Sequence, residues 1–256
     1  QIDLGGLIKD PAGARGGCEQ AKLKFGIALK ALGAFPYQAV ALSVSDLRVG
    51  VGEAFAQYLN GLDGPMKLVA ANVTPGAGFE EIIQRHVTVE AGPVKLGVTA
   101  VVDPEELEKL VDPDKDALLP TVQKPDEVLA DVLKEMEAGS DYQVLMVQAP
   151  PAEARRLAEA FPGFDIVVAT SEVPDPEADA QSLNDGKTMV VNVGRRGKYL
   201  GAVGFFDGDA PKYHRVGLTP TLDPKEKSEV KKIIEDEYRG LLKAVGTVEN
   251  FPRHGY

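Results

Sequence analysis

The sequence has one cysteine, no tryptophan and three histidines in 256 residues. A single thiol, Cys18, rules out an internal disulfide and a cysteine-built metal site. No base stands beside it in the sequence, so it reads as a buried or incidental thiol, not a nucleophile. His86, His214 and His254 are not spaced as metal ligands. None accompanies a G-x-S-x-G elbow, so neither a zinc site nor a serine triad has support. No apolar run approaches the ~20 residues that cross a bilayer. Positive charge is also scarce: 28 Lys and Arg against 39 Asp and Glu give a net charge of −11. That balance argues against a general binder of nucleic acid or anionic membrane.

What is present fits a soluble α/β protein with a substantial core: 44% hydrophobic and 26% charged residues. Residues 143–173 organise the chain as strand, helix, strand. Val144 to Val147 is an apolar run without period, as in a strand buried on both faces. Ala154, Leu157, Ala158 and Phe161 then share a helical stripe, Gly163 stops it, and Phe164 to Val168 make a second buried strand. In open α/β sheets the working groups stand at the carboxyl ends of such strands. Here those ends carry Gln148 and Ser171-Glu172-Val173.

Elsewhere the glycine-rich residues 1–17 read as loop, 19–33 as helix, 38–43 as buried strand, SVSDLRVG as loop and 51–59 as helix. Strands follow at 67–71, 86–90 and 94–101, with the turn Gly92-Pro93 between the last two. Residues 103–123 read as helix broken by loop, 125–138 as an amphipathic helix and 174–186 as a mobile polar loop. Thr188–Val193 and Tyr199–Phe206 read as strands joined by Gly194-Arg195-Arg196-Gly197, with 212–218 as a third. A last helix is marked by Asp223 as N-cap, Pro224, Glu226 and a stripe through Val230, Ile233, Ile234, Tyr238, Leu241, Leu242 and Val245. Without an internal repeat or linker, the expectation is one domain over residues 1–256, an α/β/β/α-type layered sandwich with mixed sheets. The start without methionine and the end at Tyr256 fit a piece of a longer chain, and no signal peptide is visible in it.

Gly194-x-x-Gly197-Lys198 lacks the spacing and the Ser or Thr of a phosphate loop and reads as a basic hairpin turn, with Arg195, Arg196 and Lys198 as possible anion contacts. Asp46 follows a buried strand; a lone carboxylate there reads as a ligand, a base or, more simply, a loop cap.

Taken in order, QAKLK (20–24), YQAVAL (37–42), SVSDLRVG, Ala71-Asn72-Val73, GPVKLGVTAVVDP, the central unit and VNVGRRGKYLGAVGF resemble the metallophosphoesterase domain of the 5′-nucleotidase family. In that family SVSDLRVG corresponds to a G-N-H-[DE] loop, the strand ending at Gln148 ends in His, and FDIVVATSEV leads to G-G-H-x-H. With an earlier D-x-H and a G-D, those motifs hold two metal ions that clamp phosphate and activate water. Here Val44 and Ser45 replace Asn and His, Asp46 alone stays acidic, and Gln148, Ser171 and Val173 replace histidines. The resemblance places the D-x-H strand before Gln1 and the G-D strand between Gly17 and Cys18. It implies a domain that has lost its metal ligands, with no cofactor, used for interaction or structural support. Relatives of this kind are exported, periplasmic or extracellular, and some precede a multihaem cytochrome module, which names a protein partner. Two other readings stay open: a weak or altered phosphoesterase holding one metal ion, manganese or zinc, through Asp46, Asp3 and residues outside this sequence, and an unrelated α/β anion-binding module.

Overall fold

The computed structural model describes residues 1–8, 17–62, 64–110, 118–170, 173, 175–192, 194, 197–206, 209–218 and 229–245. The expectations placed on Ser171, Glu172, Arg195, Arg196, Asp223, Pro224, Glu226 and His254 lie outside the described residues.

The chain opens with β1 (Ile2–Asp3), followed by α1 (Gly17–Gly33), β2 (Ala39–Ala41), a 3-10 helix (Val44–Val49), α2 (Val51–Gly61), β3 (Lys67–Val69), β4 (Val73–Thr74) and β5 (Ile83–Gln84). β1, β2, β3 and β5 lie side by side in that order as a parallel sheet, with Ile2 opposite Ala39 and Ala39 opposite Lys67. Next come β6 (His86–Ala91), β7 (Val94–Val102), α3 (Pro104–Leu110), β8 (Thr121–Val122), α4 (Pro125–Glu137), β9 (Tyr142–Gln148), α5 (Pro151–Ala160), β10 (Ile166–Ala169), β11 (Gln181–Leu183), a 3-10 turn (Asn184–Gly186) and β12 (Thr188–Asn192). Six of these strands form a mixed sheet in the order β11-β12-β10-β9-β7-β6, antiparallel only at its two edges. β4 pairs with β8, and β13 (Tyr199–Gly204) pairs with β14 (Lys212–Gly217). The described part ends with α6 (Glu229–Lys232), a π-helical turn (Ile233–Tyr238) and α7 (Arg239–Val245).

The layering follows from the side-chain period of two in a strand. Ala39, Ala41 and Val69 face Val98, Ala100, Val144, Met146 and Ile166 across the space between the two sheets. Their neighbours Val40 and Leu68 point the other way, onto Phe25 and Leu29 of α1 and Phe55 and Tyr58 of α2. On the far side, Val101, Leu145, Val147 and Val167 meet Val128, Leu129 and Val132 of α4 and Leu157 of α5. Both faces of both sheets are covered, which is why the central strands carry no polarity alternation. The sandwich is helix, sheet, sheet, helix, as the sequence implies.

Several local readings differ from the structure. Residues 2–3 are a strand, not loop: Gly5 and Gly6 adopt φ values of 73° only after β1 has paired with β2. Gly17 and Cys18 open α1 together, and Cys18 is exposed, an incidental thiol and not a buried one. Residues 174–186 contain β11 and a turn in which Asn184 and Asp185 take φ values of 53° and 57°. Asn184 Nδ2 anchors that turn by donating to the Ala158 carbonyl at 2.8 Å and to Thr188 Oγ1 at 2.7 Å, contacts that composition does not reveal. β12 and β13 are not partners, because β12 finds a parallel neighbour in β10 while β13 pairs with β14. In the last helix, Ile234 and Leu241 are 46% and 39% exposed, since the π-helical turn rotates the stripe.

Asn72 joins the two sheets. Its Nδ2 donates to the carbonyls of Val102 and Gln123, both at 2.8 Å, and its Oδ1 accepts from Val102 N at 3.0 Å. The side chain is 1% exposed, so water cannot replace these bonds. Asn72→Ala is expected to lower unfolding free energy by roughly 2–4 kcal/mol, because it strands buried donors and acceptors. Urea titration checks this, with Arg155→Ala on exposed α5 expected to stay within about 0.5 kcal/mol of the natural chain.

Candidate functional site at the carboxyl ends of the strands

The parallel strands deliver their following residues to one edge of the sandwich. At the end of β1, Asp3 Oδ1 accepts from Gly5 N at 2.8 Å, and burial pushes the Asp3 carboxyl above its ordinary range, partly offset by that bond. Gly5 then passes so close to β2 that a Cβ would stand 2.3 Å from the Ala41 carbonyl oxygen. With φ at 73°, the position accepts glycine alone.

After β2, Ser43 and Ser45 share a hydroxyl hydrogen bond of 2.8 Å. The 3-10 helix turns Asp46 inward, where it is 0% exposed. Asp46 Oδ2 accepts from Gly6 N at 3.1 Å and Tyr58 Oη at 2.8 Å, and Oδ1 accepts from Ile8 N at 2.9 Å. Burial pushes this carboxyl up to about 6, while the bonds from Ile8, Tyr58, Gly6 and Leu7 pull it back toward the usual range. Burial, and then the nearby Asp46 carboxylate, raise the Tyr58 phenol well above its own ordinary value.

The end of β3 leads to Asn72, whose amide bonds to Val102 and Gln123 as described. The end of β9 carries Gln148, half-buried and on the same strand face as Val144 and Met146, which look toward the first sheet. Val173 is 51% exposed. Lys198, expected as an anion contact, is instead paired with Asp175, its Nζ 3.1 and 3.2 Å from the two carboxylate oxygens. Tyr199 Oη donates to the same carboxylate at 2.5 Å, and the Arg215 guanidinium stacks 4.1 Å over the Tyr199 ring. The structure therefore brings Asp46 together with the β1 loop, while Val173 and Lys198 face solvent.

Two working residues escape the sequence reading. Tyr58 looks like one more apolar position of α2, and Asn72 like an ordinary turn residue. Neither carries a local signal, because their partners lie 12 and 30 or more residues away.

The described residues do not fit a pair of divalent ions. Such a centre needs several anionic or imidazole ligands. Among the described residues no three His, Cys, Asp or Glu side chains converge. Asp46 accepts from Gly6, Ile8 and Tyr58, the Asn72 amide oxygen accepts from Val102 N, and Gln148 is neutral.

A pH dependence follows from Asp46. Its folded-state pKa of about 6 exceeds the ordinary 3.8, so the folded state holds this proton more tightly than the unfolded chain. The contribution to stability is full below the unfolded value and is lost as pH rises through the folded one. Relative to Asp46→Asn, the natural chain is expected to lose roughly 3 kcal/mol between these two values, about 1.4 kcal/mol per unit. Urea unfolding of both chains across that window checks the sign; a natural chain that gains stability over the variant with rising pH contradicts it.

No family model matches this chain, and no curated protein matches it by sequence. Solved structures do. The sulfate thiohydrolase SoxB of Thermus thermophilus matches 86% of this chain over 39% of its own length, with a TM-score of 0.69 and 14% identity. The calcineurin-like phosphoesterase YfkN of Bacillus subtilis matches 95% of this chain over 84% of its own, with a TM-score of 0.67 and 20% identity. The NAD nucleotidase NadN of Haemophilus influenzae matches 90% over 45% of its own, with a TM-score of 0.63 and 11% identity. The chain thus spans less than half the length of SoxB and of NadN. Its fold is the calcineurin-like metallophosphoesterase fold, shared with the 5′-nucleotidases.

Proposed function

We propose that this chain is a non-catalytic domain on the metallophosphoesterase fold, serving interaction or structural support. The observation that carries the reading is Asp46: an acidic side chain after a strand end, wholly buried and with both carboxylate oxygens accepting bonds from protein donors. Placement in an exported protein or complex, periplasmic or extracellular and beside a multihaem cytochrome, rests on the family resemblance. No helix among the described residues is long and apolar enough to cross a membrane.

One observation favours a second reading, a phosphoesterase with a single manganese or zinc ion: Asp3 and Asp46 both follow adjacent parallel strands. It requires Asp46 to surrender Gly6, Ile8 and Tyr58. The anion-module reading is weakened by the commitment of Lys198 to Asp175.

Hydrolysis of p-nitrophenyl phosphate and of nucleoside monophosphates, with added manganese or zinc, tests the proposal. The natural chain and the double variant Gln148→His, Ser171→His are both expected at background; turnover by either contradicts it. Gly5→Ala should cost about 2 kcal/mol or more through clash and strain. Gly6→Ala, whose Cβ would meet only hydroxyls at 3.8 Å, should cost about half that, as read by urea unfolding.

A further inference from the structure

The open side of an edge strand is a template on which another chain can pair. Most edges of this fold are short: β1, β4, β5 and β8 are two residues long and β11 three. β13 and β14 have six residues each, but Gly201, Gly204 and Gly217 weaken them and Lys212 opens β14. β6 differs. It is six residues long, contains no glycine, proline or lysine, and pairs with β7 at every residue without a bulge. Among the described residues β7 is its only strand neighbour, and Thr88 and Glu90 are exposed.

The outward-facing groups of β6 follow from the ladder. On β7, Lys95 N donates to Asp141 Oδ2 and the Lys95 carbonyl accepts from Asp141 N, both at 2.8 Å. Lys95 thus faces β9, and Glu90, its opposite on β6, turns its own N–H and C=O away from β7. The antiparallel alternation puts the N–H and C=O of His86 and Thr88 on that same open side.

Gln38 sits on this side. Its Nε2 donates to the Glu90 carbonyl at 3.1 Å, and its Oε1 accepts from Glu90 N at 3.2 Å. That is the pair of bonds a residue of a further strand would exchange with Glu90. The Gln38 backbone is fixed in the first sheet, its N donating to the Gln1 carbonyl at 2.9 Å and its carbonyl accepting from Lys67 N at 3.0 Å. Two β6 strands paired about a two-fold axis at Thr88 would set Thr88 against Thr88, and each His86 against the Glu90 of the other copy. Gln38 closes both outer pairs and leaves only the central one.

We propose that Gln38 is an edge guard, its amide standing in for a strand so that β6 does not pair with β6 of a second copy of this chain. The inference is independent of whether the strand ends bind metal.

Sedimentation velocity of the natural chain and of Gln38→Val, over about 5–500 µM, tests this. The variant is expected to self-associate at least about tenfold more tightly than the natural chain. Amide exchange across residues 86–90 should slow as its concentration rises. Adding Thr88→Lys, which would set lysine against lysine at the centre of the pairing, should restore the natural behaviour. Gln38→Ala carries the same expectations should valine at position 38 prevent folding. If Gln38 only ties β6 to the first sheet, its variants lose stability and sediment as the natural chain does. That result overturns the proposal, as does association that leaves exchange at residues 86–90 unchanged or is untouched by Thr88→Lys.

Discussion

One buried carboxylate holds the opening of this fold together. Asp46 sits at the end of the second parallel strand, yet its hydrogen bonds run to the loop after β1 and to α2. Burying an ionised group without partners costs far more than one domain can spare, and several charge-assisted bonds offset it here. The β1 strand is two residues long and pairs with β2 alone. Without Asp46 gripping Gly6 and Ile8, little would fix the chain that follows it. Tyr58 completes the ring of donors from an entirely buried position, packed edge-on against Phe25 at 5.1 Å, so the polar lock and the α1–α2 core support each other.

The same pattern repeats at the third strand. Asn72 faces inward and bonds to Val102 and Gln123, tying the first sheet to the second. In open α/β sheets such strand ends usually present polar groups outward to a ligand. In this chain Asp46 and Asn72 are turned into the protein and used for cohesion. A fold shared with phosphoesterases and nucleotidases therefore says little about activity; the orientation of a few side chains decides it.

The layered architecture was legible because strands buried on both faces must be apolar throughout, and Val144 to Val147 and Ile166 to Val168 meet that condition. Amphipathic α4 was equally plain from Val128, Leu129, Val132 and Met136, all buried. The lone Asp46 was legible as a loop cap, and it does cap residues 6–8. Its other partner was not, since nothing in α2 distinguishes a tyrosine whose hydroxyl is bonded from one that only packs. β1 was hidden by its length and by the glycines after it. The separation of β12 from β13 was hidden for a related reason: a turn-like segment between two strands looks the same whether they pair or diverge.

Metal content after incubation with manganese and zinc, followed by dialysis, tests most directly whether the strand ends have been given over to internal bonding. Close to no ion retained is the expected result, with Asp46 still bound by Gly6, Ile8 and Tyr58. Retention of about one or two ions per chain would mean that the carboxylates are free to ligate, and would contradict it.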